Sequence, residues 1–209
     1  MGSYYYLAAQ LPYLVYGQTP PMSSAAFRDL AKPLLHSGDS ALLDLVDMDP
    51  SGKPALNREG GSEDSGPSYA DNAPSSGCDF IDRWREWERS LRLNLARQRA
   101  QKTKRETSAP VEPPLFPADA VTAAAKAAAS AESPLEAELL LDKARWDAIE
   151  GLQGIDNFDR NIVYAYLLKL ILLERHQAFK VEEGFAEYKS LYTSILGSVQ
   201  APSPVGEIK

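Results

Sequence analysis

The sequence predicts an all-α fold: a helical bundle with a central apolar helix, a long amphipathic helix and two flexible linkers. Three stretches carry that reading. From Ile162 to Leu173 the chain runs I-V-Y-A-Y-L-L-K-L-I-L-L, with Lys169 as its only charge. A helix apolar on nearly every side has to be enclosed by other elements. From Asp79 to about Lys104, the residues Phe80, Trp84, Trp87, Leu91 and Leu95 recur at helical spacing and make one apolar face. Ser133-Pro134-Leu135-Glu136 joins an N-cap serine, a proline at the first helical position and a glutamate three residues after the cap, which together mark a helix start.

Taken in order, Tyr4 to Leu14 is aromatic and apolar but broken at Pro12, and periodicity leaves a short strand and an early helix both open. After the turn Thr19-Pro20-Pro21, Ser23 or Ser24 caps a helix to about Leu35, with Phe27, Leu30, Ala31 and Leu34 on one stripe. Pro33 kinks or ends it. Gly38-Asp39-Ser40 restarts a second helix through Leu42, Leu43, Leu45 and Val46. From Ser51 to Gly77 the composition turns to Gly, Ser, Pro, Asp, Glu and Asn. Such a segment buries too little surface to offset its ordering entropy, so 51–77 is expected to be a flexible insertion.

In the long helix, Asp82 with Arg85 and Glu88 with Arg92 are expected pairs of about 0.2–0.5 kcal/mol each. A Pro-rich linker covers 106–117, and the alanine-rich run from Pro117 to Ala131 is helical by propensity. The helix opened by Ser133 is expected to carry Leu135, Leu139, Trp146, Ile149 and Leu152 inward and to stop near Gly151 or Gly154. Asp156 or Asn157 then caps the central helix. The short turn between them makes the two helices antiparallel neighbours. That central helix, about five turns long, is too short to cross a bilayer, which takes about 20 apolar residues. A last helix is expected between about Val181 and Gly197, its start left open because Gly184 can instead be a turn. Residues 1–198 thus read as a single all-α domain and 199–209 as a disordered tail.

Composition narrows the function. The 209 residues carry a formal charge of −7, which argues against general nucleic-acid binding. One cysteine, Cys78, forms no internal disulfide and fits a reducing compartment. The opening Met1-Gly2-Ser3-Tyr4-Tyr5-Tyr6 has neither the basic residue nor the greasy core of a signal peptide, so a cytoplasmic protein is expected. His36, His176 and Cys78 lie far apart, with no metal-ligand spacing. Gly52-Lys53-Pro54 and Gly60-Gly61-Ser62 lack a phosphate-binding pattern. No serine sits in a nucleophile elbow. Neither enzymatic activity nor a cofactor or metal is expected.

Three features remain. The basic run Arg97, Arg99, Lys102, Lys104 and Arg105 reads as a solvated helix end complementing its dipole, or as a grip on phosphate or an acidic partner. Trp84, Trp87 and Trp146 read as core. Lys169 needs a carboxylate partner, for which Asp142, Asp147 and Glu150 are the nearby choices, or it extends its charge to water at a groove edge. Arg97, Arg99, Lys102, Lys169 and Arg175 are accordingly the candidate partner contacts.

With those residues in view, three stretches resemble a bacterial family encoded beside subunits of V-type (A/V-type) ATPases in spirochaetes and Bacteroidetes. The opening Tyr4-Tyr5-Tyr6-Leu7-Ala8-Ala9-Gln10-Leu11-Pro12 is similar to that family's Y-Y-Y-L-x-A-x-L-P. Leu91 to Ala100 resembles its central basic helix. Glu138 to Glu150 and then Asn157 to Arg175 resemble its next block. Together these cover about half of the chain. The resemblance implies a non-catalytic subunit or accessory of the rotary ATPase, standing in for the C (eukaryotic d) subunit between central stalk and membrane ring. Its partners would be other ATPase subunits, and its place the inner face of the cell membrane. The alternatives are a generic helical scaffold and a nucleic-acid-binding module using the basic helix end.

Overall fold

The computed structural model describes residues 4–49, 75–103 and 118–178, together with Lys189, Leu191 and Tyr192. The chain divides into two compact units, Met1–His176 and Gln177–Lys209. In the second, Lys189, Leu191 and Tyr192 have helical backbone, and the side chains of Leu191 and Tyr192 are exposed. The bulk of the expected insertion, the linker 106–117, most of the last helix and the tail 199–209 lie outside the described residues.

Up to Ala178 the described residues form seven α-helices and no strand. They are α1 (Tyr5–Gln10), α2 (Ser24–Ala31), α3 (Ser37–Leu43), α4 (Asp79–Lys102), α5 (Ala118–Ser130), α6 (Pro134–Gln153) and α7 (Arg160–Ala178).

The opening stretch is helical, not extended. α1 ends at Gln10 because Leu11, preceding Pro12, is held at φ −76° and ψ 123°, as the residue before a proline must be. Six residues are too few for a helix to stand alone. Tyr4 anchors this one through its N–H, which donates to the Phe158 carbonyl at 2.7 Å, while the Tyr5 and Phe158 ring centroids lie 4.3 Å apart.

In α2, Ser23 is the cap and accepts from the Ala26 N–H at 3.1 Å. Its inward row is Phe27 and Ala31, with Leu35 beyond the helix end, all buried, whereas Leu30 and Leu34 are exposed. The expected stripe mixed two adjacent rows; steps of four from Phe27 define the buried one. Pro33 tightens Lys32–Leu34 into a 3-10 turn, which closes the helix. α3 ends at Leu43, short of its expected extent, and Leu45 and Val46 follow in turns.

α4 buries Phe80, Trp84, Trp87, Leu91 and Leu95 as its spacing predicts, with Glu88 and Arg85 on the same side. Asp82 does not bond Arg85. Its carboxylate accepts from the Ser75 hydroxyl at 2.6 Å and the Ser76 N–H at 2.8 Å, while Arg85 donates to the Leu45 carbonyl at 3.2 Å. α5 buries Val121, Ala125 and Ala128, and its small side chains let its backbone lie close to both α4 and α6.

The start of α6 follows its motif. Ser133 accepts from the Glu136 N–H at 3.1 Å, and the Glu136 carboxylate reaches back to the Glu132 N–H at 3.1 Å, one residue before the expected partner. The inward face differs from expectation: Ala137, Leu141, Asp142, Arg145, Trp146 and Ile149 are buried, and Leu135, Leu139 and Leu152 are half-buried. Buried Asp142 and Arg145 rotate the helix so that their charges meet partners inside the bundle. Gly154, at φ +80°, ends α6 in a conformation that disfavours any side chain. Asp159 caps α7, rather than Asp156 or Asn157. Its Oδ1 accepts from the N–H groups of Asn161 and Ile162 at 2.9 and 3.3 Å.

α7 is the enclosed helix that its composition predicts, with Val163 to Leu168, Leu170, Leu172 and Leu173 all buried. Phe27 of α2 meets Tyr166 at 5.0 Å between centroids, and Phe80 of α4 meets Tyr164 at 6.2 Å. Lys169 pairs with Glu150, and farther along Arg175 pairs with Glu138, so α6 and α7 run antiparallel. Trp146 sits between them, 4% exposed, edge-on to Tyr16 at 5.6 Å and donating from Nε1 to Glu150 at 2.9 Å. Trp146→Ala should therefore destabilise the first unit by about 3–5 kcal/mol, read from chemical denaturation; an unchanged midpoint would place the indole outside the core.

Candidate partner-docking surface

The five candidate contact residues fall in three places, each set by the ionic chemistry around it. The first is interior. Glu88 of α4 has no solvent exposure, and a carboxylate there costs several kcal/mol unless it is fully paired. Arg145 of α6 meets it with two nitrogens, Nε to Oε2 at 3.0 Å and Nη2 to Oε1 at 3.1 Å. Arg92 adds its Nε at 2.8 Å, so the expected Glu88–Arg92 pair forms, with its carboxylate in the interior. Arg145 also donates to Asp142 Oδ1 at 2.8 Å. Burial opposes the charge of Arg145, but Glu88 and Asp142 outweigh it and hold the guanidinium more firmly protonated than usual. Burial pushes the Asp142 carboxyl above its ordinary range, with Arg175 and Arg145 pulling it back.

Arg175 belongs to this network. It pairs with Glu138 and lies 3.6 Å from Asp142 Oδ1 through Nε. Its neighbour Glu174 accepts from the Ser24 N–H at 2.6 Å and the Ser24 hydroxyl at 2.7 Å, an anion placed at the N-terminal end of α2 as the dipole favours. The last turns of α7 are thus tied to α6 on one side and α2 on the other.

The second place is the basic end of α4. Arg97 and Arg99 are exposed. Lys102 is also exposed, and its ammonium donates to the Ala129 carbonyl in the last turn of α5, where positive charge complements the carbonyl end of the helix. Lys104 and Arg105 lie outside the described residues.

The third is Lys169. Of the three carboxylates within reach in the sequence, Glu150 takes it, at 3.2 Å; Asp147 pairs with Lys143 instead. The ammonium lies 5.1 Å from the centroid of the Trp146 ring, a cation–π contact, and its side chain keeps only 14% exposure. Lys169 lines a groove of about 260 Å³ between the loop after α1, the end of α6 and the start of α7. Leu11, Pro12, Tyr13, Gln153 and Tyr166 line it too. Tyr166 crosses it to donate to the Pro12 carbonyl at 2.9 Å, and burial pushes its phenol up to about 12. A second groove, of about 350 Å³, opens between α4, α5 and α6 beside Trp87 and Ala148.

Among the described residues there is no group of three or more His, Cys, Asp or Glu side chains able to hold a metal. The aromatic side chains of the Lys169 groove went unnoticed as a site in the sequence, because Tyr13 lies in a loop where periodicity carries no information.

Removing Glu88 should leave buried Arg145 with Asp142 alone and take from Arg92 its closest carboxylate. Glu88→Ala is expected to cost about 3–5 kcal/mol, whereas Lys143→Ala, which breaks the exposed pair with Asp147, should change stability by no more than about 1 kcal/mol. Equal losses in urea denaturation would contradict the interior network. Tyr166 makes a separate pH prediction. A phenol held neutral in the fold ionises first in the unfolded chain, so its contribution is intact below the ordinary tyrosine pKa of about 10 and is lost as pH rises toward about 12. Tyr166→Phe should flatten that fall; an unaltered slope of stability against pH would remove the assignment. No family model, curated protein or solved structure matches the chain.

Proposed function

We propose that the protein is a non-catalytic subunit or accessory of a bacterial V-type (A/V-type) rotary ATPase, acting as a central-stalk adaptor between the stalk and the membrane ring. The observation that carries this reading is the joint order of the three stretches that resemble the ATPase-linked family. Their packing supports it: Tyr4 of the first is hydrogen-bonded to Phe158 of the third, and Arg92 of the second shares Glu88 with Arg145 of the third. All three therefore belong to one bundle. An adaptor that passes torque needs helices held rigidly in register, and the Glu88 network supplies that between α4, α6 and α7.

On this reading ATP hydrolysis and ion translocation belong to other subunits, the chain acts at the inner face of the cell membrane through the complex, and it takes no cofactor and binds no nucleic acid. No helix among the described residues is long and apolar enough to cross a membrane. Affinity capture of the tagged chain from its native cells at moderate salt should recover catalytic and stalk subunits of the ATPase, identified by mass spectrometry. Recovery of none of them would overturn the assignment.

A further inference from the structure

The groove between α4, α5 and α6 is walled in part by a side chain with an unpaired donor. Trp87, one of its lining residues, is 2% exposed, and its indole Nε1 is buried with no hydrogen-bond partner. The other two indoles of the chain are satisfied, Trp84 by the Asp47 carbonyl and Trp146 by the Glu150 carboxylate, each at 2.9 Å. A buried indole N–H normally finds an acceptor, and one left without any is an open cost to the fold. The Trp87 ring is stacked on that of Trp84, with centroids 5.7 Å apart and an interplanar angle of 15°, so its position is set by packing.

Residues too small to fill the space keep it open. Ala144, Ala148 and Gly151 follow one another at steps of four and three along α6, which places them on one face, and all three line the groove together with Ala120 of α5. Nothing inside the chain requires glycine at position 151. Its φ lies outside the left-handed range, and an added Cβ would meet nothing within 4 Å. Glycine is a poor helix former, so the residue weakens α6 and leaves room at the lining. At about 350 Å³ that room falls within the range of small-molecule sites, which start near about 300 Å³. The charges at the lining are already matched, Arg83 by Asp79 at 3.5 Å and Asp147 by Lys143 at 2.6 Å, so no surplus charge calls for an ion. A lone neutral donor in apolar surroundings selects an uncharged acceptor, because a carboxylate brought there would give up its hydration for a single hydrogen bond.

We infer that this groove binds a small, largely apolar molecule with one uncharged carbonyl, whose oxygen accepts from Trp87 Nε1 while its body packs on Ala144, Ala148 and Leu152. The site goes beyond the adaptor reading and does not rest on it.

The test follows the indole N–H signals of the isotope-labelled full chain by NMR as acetophenone, ethylbenzene or benzoate is added, probes of similar size that carry a carbonyl, no acceptor and a charge. Acetophenone should move the Trp87 indole proton downfield and leave that of Trp146, already engaged by Glu150, where it is. It should bind at least about tenfold more tightly than ethylbenzene, the difference that one hydrogen bond to an otherwise unpaired donor makes, and benzoate should bind no better than ethylbenzene. Gly151→Leu, at a lining position where an added Cβ has room, should keep or raise the melting temperature and lower the affinity for acetophenone at least about tenfold. Trp87→Phe keeps an aromatic ring without the donor and should abolish the preference for acetophenone over ethylbenzene. No response to acetophenone up to its solubility limit would overturn the proposal, as would equal binding of ethylbenzene, tighter binding of benzoate or undiminished binding by Gly151→Leu.

Discussion

The bundle depends on how it accommodates one buried carboxylate. Glu88 lies on the inner face of α4 with no access to water, and apolar packing around it would leave it charged and unsolvated. The fork of Arg145 satisfies both of its oxygens at once, and fork geometry admits little sliding. Leu and Ala surfaces can shift past each other by a fraction of a turn at small cost; a two-point contact between guanidinium and carboxylate cannot. The pair therefore holds α6 in register against α4. Asp142 then passes the constraint to α7 through Arg175. Three helices of very different composition share one axial reference.

With α7 held in this way, the first part of the chain has something to wrap. α1, α2 and α3 have six, eight and seven residues, each below the length at which a helix persists in water. The tyrosines of α7 recruit them. A buried phenol needs a hydrogen-bond partner, and those of Tyr164 and Tyr166 find it in the carbonyls of Asp39 and Pro12. The same two hydroxyls that would be a penalty in an all-leucine helix here select which backbone lies over it. Tyr4 closes the arrangement by donating to Asp39, which also pairs with Arg160.

What could be read from the sequence follows from this physics. Apolar periodicity reports a helix, so α4, α6 and α7 were legible, as was the need of Lys169 for a carboxylate; it gave the buried row of α4 but only Trp146 and Ile149 of that of α6. The rule that places charge outside misleads at Asp142 and Arg145, because each is the other's reason for being buried and the pattern holds no trace of Glu88, more than 50 positions away. The caps show the same limit. Asp156, Asn157 and Asp159 are all fit to cap α7, and only the turn after Gly154 decides for Asp159. The candidate contacts could be named one by one, but whether Arg175 and Lys169 face outward depends on helix rotation, which the interior pairs decide.

The groove beside Lys169 inherits its rigidity from the same pairs. Its walls are α6, α7 and the loop after α1, and each is tied to another: Lys169 to Glu150, Trp146 to Glu150, Tyr166 to Pro12. Lys169, Trp146 and Tyr166 are already fixed by their partners and would need no ordering on contact, which lowers one of the main costs of association. That cost is largest for surfaces built on loops. Here the loop after α1 is pinned by the phenol of the most enclosed helix, so the interior that excludes water also presets the shape of the groove.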